Sequence, residues 1–397
     1  MTTTVLPDIP RHLYRQSGPF ASVYLDVSRD HENSPHEIEL RWKELARSLA
    51  EQGADDADVA AVEAVVTAPS GEPGGAGRVV ITSGGQVRLT EVLPAPPRRD
   101  IAHWGTLPHV MPLLAQQPET LAHVVVDLGK TTATVRAVGA GGDVSETTEQ
   151  GREESAHKIR GGGVAYRSIE NYTEEVWADN VRTFAKTIGD TVSRVHAQLV
   201  VVLGDEHACA MLLAELDARS RSLVVQAHGP GPTDKTTDEG PGGQVERLVA
   251  ERAAERTREV MDGFDTAHGR DTGLAATGLG PVVTALQQAQ VETLVIVDDP
   301  SSARQLWVGP EPSQLATSEE DLRTIGAEVL GRDRADAALV RAAAGTGARL
   351  VVLPHPDVDR DAARAGSAAG ARGAEAGTAP DIADGVGAVL RFSTPTA

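Results

Sequence analysis

The chain has 397 residues, of which 40% are hydrophobic, which favours two or three domains with hydrophobic cores. Its formal net charge of −20 at pH 7 excludes a strongly basic protein. Its single cysteine, Cys209, excludes an internal disulfide, argues against a cysteine-based zinc site, and is expected to be a buried structural thiol. Because no hydrophobic run could span a bilayer and no signal-peptide core begins the chain, we expect a cytoplasmic protein without membrane contacts.

Residues 1–118 are predicted to form an N-terminal α/β domain. A strand at residues 20–27 is followed by an amphipathic helix and by a second helix near residues 59–66; the first helix is marked by Ile38, Trp42, Leu45 and Leu49. Gly84-Gly85-Gln86 lies between two strand-like runs and is predicted to be a hairpin turn. The residues after the hairpin, to about Thr120, are interpreted as a connector.

Residues 119–268 are predicted to form a middle domain. It begins with two strands joined by a glycine turn, within residues 123–135. A long helix is then marked by the apolar positions Ile169, Tyr172, Val176, Val181, Phe184 and Ile188. The remaining predicted elements are a strand at 198–203, a helix at 206–216, a strand at 223–226, an acidic loop at 229–243 and a helix from about Val245 to Phe264.

A basic, glycine-rich stretch leads into the long helix and is called here the glycine segment (residues 157–168). Gly161, Gly162 and Gly163 are consecutive, and three cations, Lys158, Arg160 and Arg167, surround them without an intervening acid. Because glycine lacks a Cβ atom, such a backbone can closely approach a phosphate-rich surface. A flexible surface loop is the alternative interpretation.

Residues 269–397 are predicted to form a C-terminal α/β domain. Strands are expected at residues 294–297, 350–353 and 387–392, and the Ala/Gly-rich stretch 359–380 is interpreted as a mobile loop. Since strands alternate with helices along the whole chain, we predict an α/β protein of three domains with mixed sheets covered by helices.

The glycine segment resembles the middle domain of the archaeal and eukaryotic class-1 release factors and their relative Pelota. In the release factors a basic loop carrying Gly-Gly-Gln leads into a long helix and inserts into the ribosomal peptidyl transferase centre. The corresponding tip here reads Gly162-Gly163-Val164, so valine stands where the family has the glutamine that helps to place the hydrolytic water. The two Gly-Gly-Gln triplets of this chain, at 84–86 and 242–244, are instead predicted to be a hairpin turn and a helix start.

A second stretch, residues 384–392, is similar to the closing strand of the C-terminal domain of the same family. Its expected partner is the helix end, turn and buried strand at residues 286–296. On its pattern alone, the stretch around Gly387 would be an edge strand with two glycines. The two stretches together, in the right order and about a hundred residues apart, are much more specific than either alone.

The resemblance points to the bacterial branch of this family, which includes Balon-like ribosome hibernation factors and a mycobacterial dormancy-associated group. It implies a ribosome-binding translation factor that occupies the A site during stress and stalls or protects the ribosome without hydrolysing peptidyl-tRNA. Its partner would be the 70S ribosome, contacted at the rRNA of the A site and peptidyl transferase centre, with an elongation-factor-Tu-type GTPase docked near the C-terminal domain. No cofactor, metal or catalytic residue is implied. The implied rRNA-binding loop consists of Lys158, Arg160, Gly161, Gly162, Gly163, Val164, Tyr166 and Arg167.

Two other functions remain open. The first is a peptidyl-tRNA-hydrolysing rescue or release factor. The second is an actin-like phosphotransferase, because Asp127-x-Gly129-x-Thr131 resembles the first phosphate loop of that fold, in which the aspartate holds a metal. The acidity of the chain opposes RNA binding at long range, so docking would depend on local basic patches. Besides the glycine segment, the candidate patches are Arg98-Arg99 and the group Arg41, Lys43 and Arg47.

Overall fold

The computed structural model describes residues 10–16, 18–29, 34–68, 75–116, 121–129, 131–139, 143–152, 164–227, 241–270, 272–299, 301–354 and 382–393. The chain divides into two compact units. The middle unit contains Pro118–Arg258, and the discontinuous unit combines Ile9–Gln117 with Glu259–Ala397. Among the described residues, none of the helices is both long enough and apolar enough to cross a membrane.

The first part of the discontinuous unit is a sheet covered by two helices. Its elements are β1 (Phe20–Asp26), α1 (Ser34–Glu51), α2 (Asp56–Val66), β2 (Gly77–Ser83), β3 (Gln86–Leu93), β4 (Ile101–Gly105) and α3 (Met111–Gln116). The strand order is β3-β2-β1-β4, with antiparallel pairing throughout. The predicted first strand, both helices and the hairpin are confirmed. Gly84 and Gly85 have φ angles of +61° and +70°, which a tight hairpin turn requires and glycine adopts readily.

The predicted connector after the hairpin is wrong, because it contains β4 and α3. Strand β4 pairs with β1 and is half-buried along its whole length, so it shows no alternation of apolar and polar residues. Helix α3 has six residues and is too short for a periodic pattern, yet it buries Met111, Leu113 and Leu114. Both elements are therefore specified by their packing against the rest of the unit.

The middle unit is a five-stranded sheet with helices on both faces. Its elements are β5 (His123–Leu128), β6 (Thr132–Val138), β7 (Val144–Gln150), α4 (Val164–Val195), β8 (Leu199–Gly204), α5 (Glu206–Glu215), α6 (Ala218–Ser222), β9 (Val224–Ala227) and α7 (Pro241–Gly269), which runs on into the other unit. The strand order is β7-β6-β5-β8-β9; β8 runs parallel to β5 and β9, whereas β6 is antiparallel to its neighbours. Helices α4 and α5 cover one face, and α7 packs through Val245, Leu248 and Val249 on the other.

Two details of the middle unit differ from the sequence predictions. Strand β7 was not predicted, because its residues are mostly polar and exposed at the edge of the sheet. Helix α7 begins at Pro241, four residues before the predicted start at Val245, so Gln244 lies in its first turn. Proline is favoured in the first turn of a helix because its missing N–H would have no partner there. The predicted acidic loop lies largely outside the described residues.

The last part of the chain forms two sheets. Its elements are β10 (Ala275–Thr277), α8 (Leu279–Gln287), β11 (Val291–Asp298), β12 (Gln305–Val308), β13 (Leu315–Ala316), α9 (Glu319–Thr324), β14 (Gly331–Arg334), α10 (Ala335–Thr346), β15 (Arg349–Pro354) and β16 (Val386–Leu390). The strand orders are β10-β16-β11-β15 and β13-β12-β14. Residues 359–380, predicted as a mobile loop, lie outside the described residues.

Strand β16 pairs with β11, as the resemblance implied. Leu294 lies opposite Ala388, and Val295 lies opposite Gly387. The edge position expected from the pattern alone is wrong, because β10 covers the other side of β16. Gly387 lies close to another element: a Cβ atom there would lie 3.0 Å from the ring of Phe264, closer than is usual for a Cβ contact.

One hydrophobic core joins the two parts of the discontinuous unit. Phe20, Tyr24 and Leu107 from the first part belong to the same buried cluster as Leu286 and Leu339 from the last part. The molecule is thus a mixed α/β protein with several sheets. The division into three domains, at residues 118 and 268, stays a prediction.

Candidate functional site

The predicted rRNA-binding loop falls mostly outside the described residues. Lys158, Arg160, Gly161, Gly162 and Gly163 are not described, whereas Val164, Tyr166 and Arg167 belong to the described backbone of α4. Val164 is the first residue of α4, so the helix begins directly after the third glycine. The helix continues for 32 residues, a length of about 48 Å.

The C-terminal half of α4 is fixed to the sheet of the middle unit. Val181, Phe184, Ile188 and Val192 are buried in one cluster with residues of β5, β6 and β8. Burial of side chains of this size stabilises the fold by about 1.5–3 kcal/mol each. Because α4 is one continuous helix, its N-terminal turn is carried by this packed half.

Arg152, the last described residue before the glycine segment, is held by Asn180 of α4. Arg152 donates its backbone N–H to Oδ1 of Asn180 (2.7 Å), and Nδ2 of Asn180 donates to the carbonyl of Arg152 (3.2 Å). The side chain of Asn180 is only 4% exposed. Arg152 and Val164, the described residues that flank 153–163, are therefore bonded to α4 and part of α4, respectively.

Sequence reasoning missed Asn180, although the sequence carries a signal for it. Val176, Asn180, Phe184 and Ile188 repeat every four residues and form one buried stripe of the helix. A polar residue within an apolar stripe must find hydrogen-bond partners, because burial without them is unfavourable. The identity of that partner, the backbone of Arg152, could not be read from the stripe.

Four cations of the other predicted basic patches lie near carboxylates. Arg41 lies 2.7 Å from Asp26, and Arg98 lies 3.7 Å from Asp298. Lys43 pairs with Glu39, and Arg47 lies near Glu44 and Glu51. Burial would raise the pKa of Asp26, but hydrogen bonds from Ser28 and the charge of Arg41 hold that pKa below its usual value. Arg41, Lys43, Arg47 and Arg98 therefore each have a carboxylate nearby.

The Gly-Gly-Gln triplet at 84–86 is a hairpin turn that contacts α2. The N–H of Gly85 donates to Oδ1 of Asp58 (3.1 Å), and a Cβ atom at Gly85 would lie 3.1 Å from Ala57. Gln86 is the first residue of β3 and pairs with Ser83. This triplet is thus held against the body of its own unit, which agrees with its prediction as a turn.

Asp127, the residue on which the phosphotransferase alternative depends, lies near the end of β5 and is exposed. Gly129 closes the β5–β6 hairpin by donating its N–H to the carbonyl of Thr132 (2.8 Å). Among the described residues, no group of three or more His, Cys, Asp or Glu side chains could hold a metal ion. The predicted hairpin is confirmed.

Two further polar residues, Asp205 and Cys209, have structural roles. The side chain of Asp205 accepts hydrogen bonds from the backbone N–H groups of His207 and Ala208 and caps α5. Cys209 is buried, and that burial raises the pKa of its thiol. A protonated, buried thiol is a poor nucleophile.

Comparison with known sequences identifies the family. Residues 122–270 match the sequence family described as bacterial archaeo-eukaryotic release factor family 2. The chain is 30% identical over 349 residues to the uncharacterized protein Rv2629 of Mycobacterium tuberculosis strain H37Rv, an alignment that covers 86% of this chain and 91% of that protein. The uncharacterized protein MT2704 of strain CDC 1551 matches to the same extent.

Comparison with solved structures finds an archaeal and a yeast protein with low similarity to this chain. An archaeal Pelota described as ribosome-bound is 15% identical, with 98% of this chain and 99% of that chain covered and a TM-score of 0.38. Dom34 of S. cerevisiae, described as a translation termination-like factor that interacts with Hbs1, is 11% identical, with coverages of 79% and 74% and a TM-score of 0.37. The family assignment rests on the sequence relationships.

Proposed function

Because this chain belongs to the bacterial branch of the archaeo-eukaryotic release factor and Pelota family, we propose that it is a ribosome-binding translation factor that occupies the A site of stalled or hibernating ribosomes without hydrolysing peptidyl-tRNA. One observation carries this proposal: the three glycines of the basic glycine segment directly precede α4 in sequence, and Val164 is proposed to stand where release factors have glutamine. The protein would act in the cytoplasm as part of a stress response.

Binding is proposed to depend on phosphate contacts made by the glycine segment. Lys158, Arg160 and Arg167 supply positive charge, and the three glycines allow the backbone to approach rRNA closely. The net charge of −20 opposes association at long range. At physiological ionic strength the Debye length is about 8 Å, so the local charge at the tip outweighs distant carboxylates once the segment has docked.

The absence of hydrolysis is proposed to follow from the side chain at the tip. Valine has neither a donor nor an acceptor, so Val164 cannot orient a water molecule against the ester of peptidyl-tRNA. A factor that enters the peptidyl transferase centre without this chemistry would occupy the site and keep the ribosome intact. An elongation-factor-Tu-type GTPase near residues 269–397 is the second partner that the family resemblance implies.

Co-sedimentation with purified 70S ribosomes tests the proposal. The triple variant Lys158→Glu/Arg160→Glu/Arg167→Glu should lose ribosome binding and keep its circular dichroism spectrum. A matched control, Arg182→Glu/Arg247→Glu/Arg323→Glu, changes the net charge equally at three positions that are 63%, 53% and 66% exposed, and should bind like the native chain. The logarithm of the native affinity should also fall linearly with the logarithm of salt concentration, and the three cations should contribute about 2 to 3 to the steepness of that slope. Equal binding by both triple variants would reject the placement of the glycine segment.

A further inference from the structure

Strand β7 and helix α4, which lead into and out of residues 153–163, are joined by three polar contacts at regular spacing. Arg194 donates to Oγ of Ser145 (3.3 Å), Thr187 donates through Oγ1 to Oε1 of Glu149 (3.1 Å), and Asn180 holds the backbone of Arg152. The helix positions 180, 187 and 194 are seven residues apart, which is about two turns or 10.5 Å. Three or four residues of strand cover a similar distance, so strand and helix keep the same register along all three contacts.

Of these three contacts, the one made by Asn180 lies nearest to the glycine segment in sequence. It consists of two hydrogen bonds, whereas each of the others consists of one. Its side chain satisfies both backbone groups of Arg152, and reversal of the amide would place donor against donor and acceptor against acceptor. A Cβ atom at Gly151 would lie 2.4 Å from Cγ of Asn180, so only glycine allows this approach. The N–H of Gly151 also donates to the carbonyl of Thr131 (2.8 Å).

The contact is reinforced by charge at the surface of the helix. The guanidinium group of Arg152 lies 3.4 Å from Oδ2 of Asp179, the residue before Asn180. This pair is exposed and contributes little by itself. The backbone of Arg152 is thus held by the buried amide of Asn180, and its side chain is directed along the same helix.

We propose that Asn180 is a positioning residue that sets the point from which the connection to the glycine segment leaves the middle unit. Sixteen residues of helix separate Asn180 from Val164, a rise of about 24 Å. The described residues on either side of 153–163 are therefore Arg152, which is bonded to Asn180, and Val164, which begins the same helix. This inference rests on the proposed ribosome binding, for which it identifies the residue that restricts where the segment can be presented.

Loss of the Asn180 contact would release the backbone of Arg152, whereas Gly151 keeps its hydrogen bond to the carbonyl of Thr131. The backbone of Arg152 would then have to be fixed when the protein binds rRNA, and fixing one backbone residue costs about 1–2 kcal/mol. We expect the affinity for 70S ribosomes to fall about tenfold. If Asn180 only attached an edge strand to a helix, its removal would lower stability and leave the affinity of the folded protein unchanged.

The experiment compares Asn180→Ala with Thr187→Val, which removes the neighbouring contact between the same two elements at a point farther from the segment. Gly151→Ala is a second way to displace the contact, because its new methyl group would collide with Asn180, and it serves if Asn180→Ala does not fold. Two quantities are measured on each folded variant: amide hydrogen exchange at Arg152 in the free protein, and affinity for purified 70S ribosomes.

The expected result is faster exchange at Arg152 and about tenfold weaker ribosome binding for Asn180→Ala and Gly151→Ala, with neither change for Thr187→Val. Unchanged exchange at Arg152 would overturn the contact itself. Faster exchange with native affinity, or equal loss of affinity in Thr187→Val, would overturn the positioning role. If the native chain failed to bind 70S ribosomes, the proposed function would fail, while the exchange measurement would still decide whether Asn180 holds this point of the chain.

Discussion

The Nε2 atom of His103 lies 2.9 Å from Oδ1 of Asp333, although 230 residues separate the two in sequence. The other carboxylate oxygen of Asp333 accepts the backbone N–H of Leu107 (2.7 Å), and Oδ1 also accepts the N–H of Arg334 (2.7 Å). Asp333 is only 2% exposed. A single buried carboxylate thus connects the first part of the discontinuous unit to its last part.

Replacement of Asp333 should therefore destabilise the discontinuous unit. In Asp333→Ala the N–H of Leu107 and the ring of His103 lose a buried acceptor, and we expect the free energy of unfolding to fall by about 2–4 kcal/mol. Chemical denaturation followed by circular dichroism measures this change. Lys43→Ala, which breaks an exposed pair with Glu39, is the control and should change stability by less than about 0.5 kcal/mol. Similar midpoints for the two variants would contradict the role assigned to Asp333.

Stability of the same unit should decrease on mild acidification because of His109. Burial lowers the pKa of His109, and the nearby carboxylate of Asp336, at 3.6 Å, opposes this shift only in part. The unfolded chain then binds a proton near pH 6.5 more readily than the folded chain does. The part of the stability that comes from keeping His109 neutral is fully present above about pH 6.5. It is lost as the pH falls towards the lowered pKa of His109.

Hydrogen exchange of the amides of β1 and β4 measures this effect within the unit, and His109→Gln should weaken its dependence on pH. The exchange must be measured at amides of this unit and not over the whole protein, because burial also lowers the pKa of His123, which lies in the middle unit. The titration of Asp336 does not make the stability depend on pH near pH 6.5. Burial would raise the pKa of Asp336, but His109 and Arg334 hold that pKa well below its usual value. Unchanged pH dependence in His109→Gln would exclude His109 as the source.

The native protein should not release peptide from peptidyl-tRNA on 70S ribosomes. On the proposed alignment Val164 stands at the glutamine position of the release factors, and its side chain provides neither a donor nor an acceptor. Release of a labelled peptide is the measurement, with puromycin as the positive control for competent ribosomes. Release well above background would reject the hibernation proposal and favour rescue, and Gln86→Ala and Gln244→Ala would then show whether either Gly-Gly-Gln triplet is responsible.

Asp127→Asn should leave the protein almost unchanged. The residue is exposed near the end of β5, so we expect a stability change within about 0.5 kcal/mol and native ribosome binding. A phosphotransferase would need this carboxylate to hold Mg²⁺ against ATP phosphates, and an amide fills that role poorly. Calorimetry with Mg·ATP separates the two functions, since micromolar binding that disappears in Asp127→Asn would establish the phosphotransferase site.

Local patterns in the sequence were sufficient to predict the elements that depend only on residues close together in the chain. The apolar stripe of α1, the β5–β6 hairpin closed at Gly129 and the turn at Gly84 were all predicted correctly, because each depends on periodicity or on the backbone preference of one residue. The glycine segment and residues 384–392 also sufficed to recognise the family.

Tertiary structure alone decided the features that depend on distant partners. Strands β4 and β7 have no apolar alternation and exist because they pair with β1 and β6. The cations Arg41 and Arg98 lie near carboxylates that the fold brings beside them. The stripe containing Asn180 indicates that its side chain needs a partner, but only the packing of α4 beside the end of β7 makes that partner Arg152. Likewise, Asp333 meets His103 because a shared hydrophobic core joins two stretches of chain whose contacts no local pattern encodes.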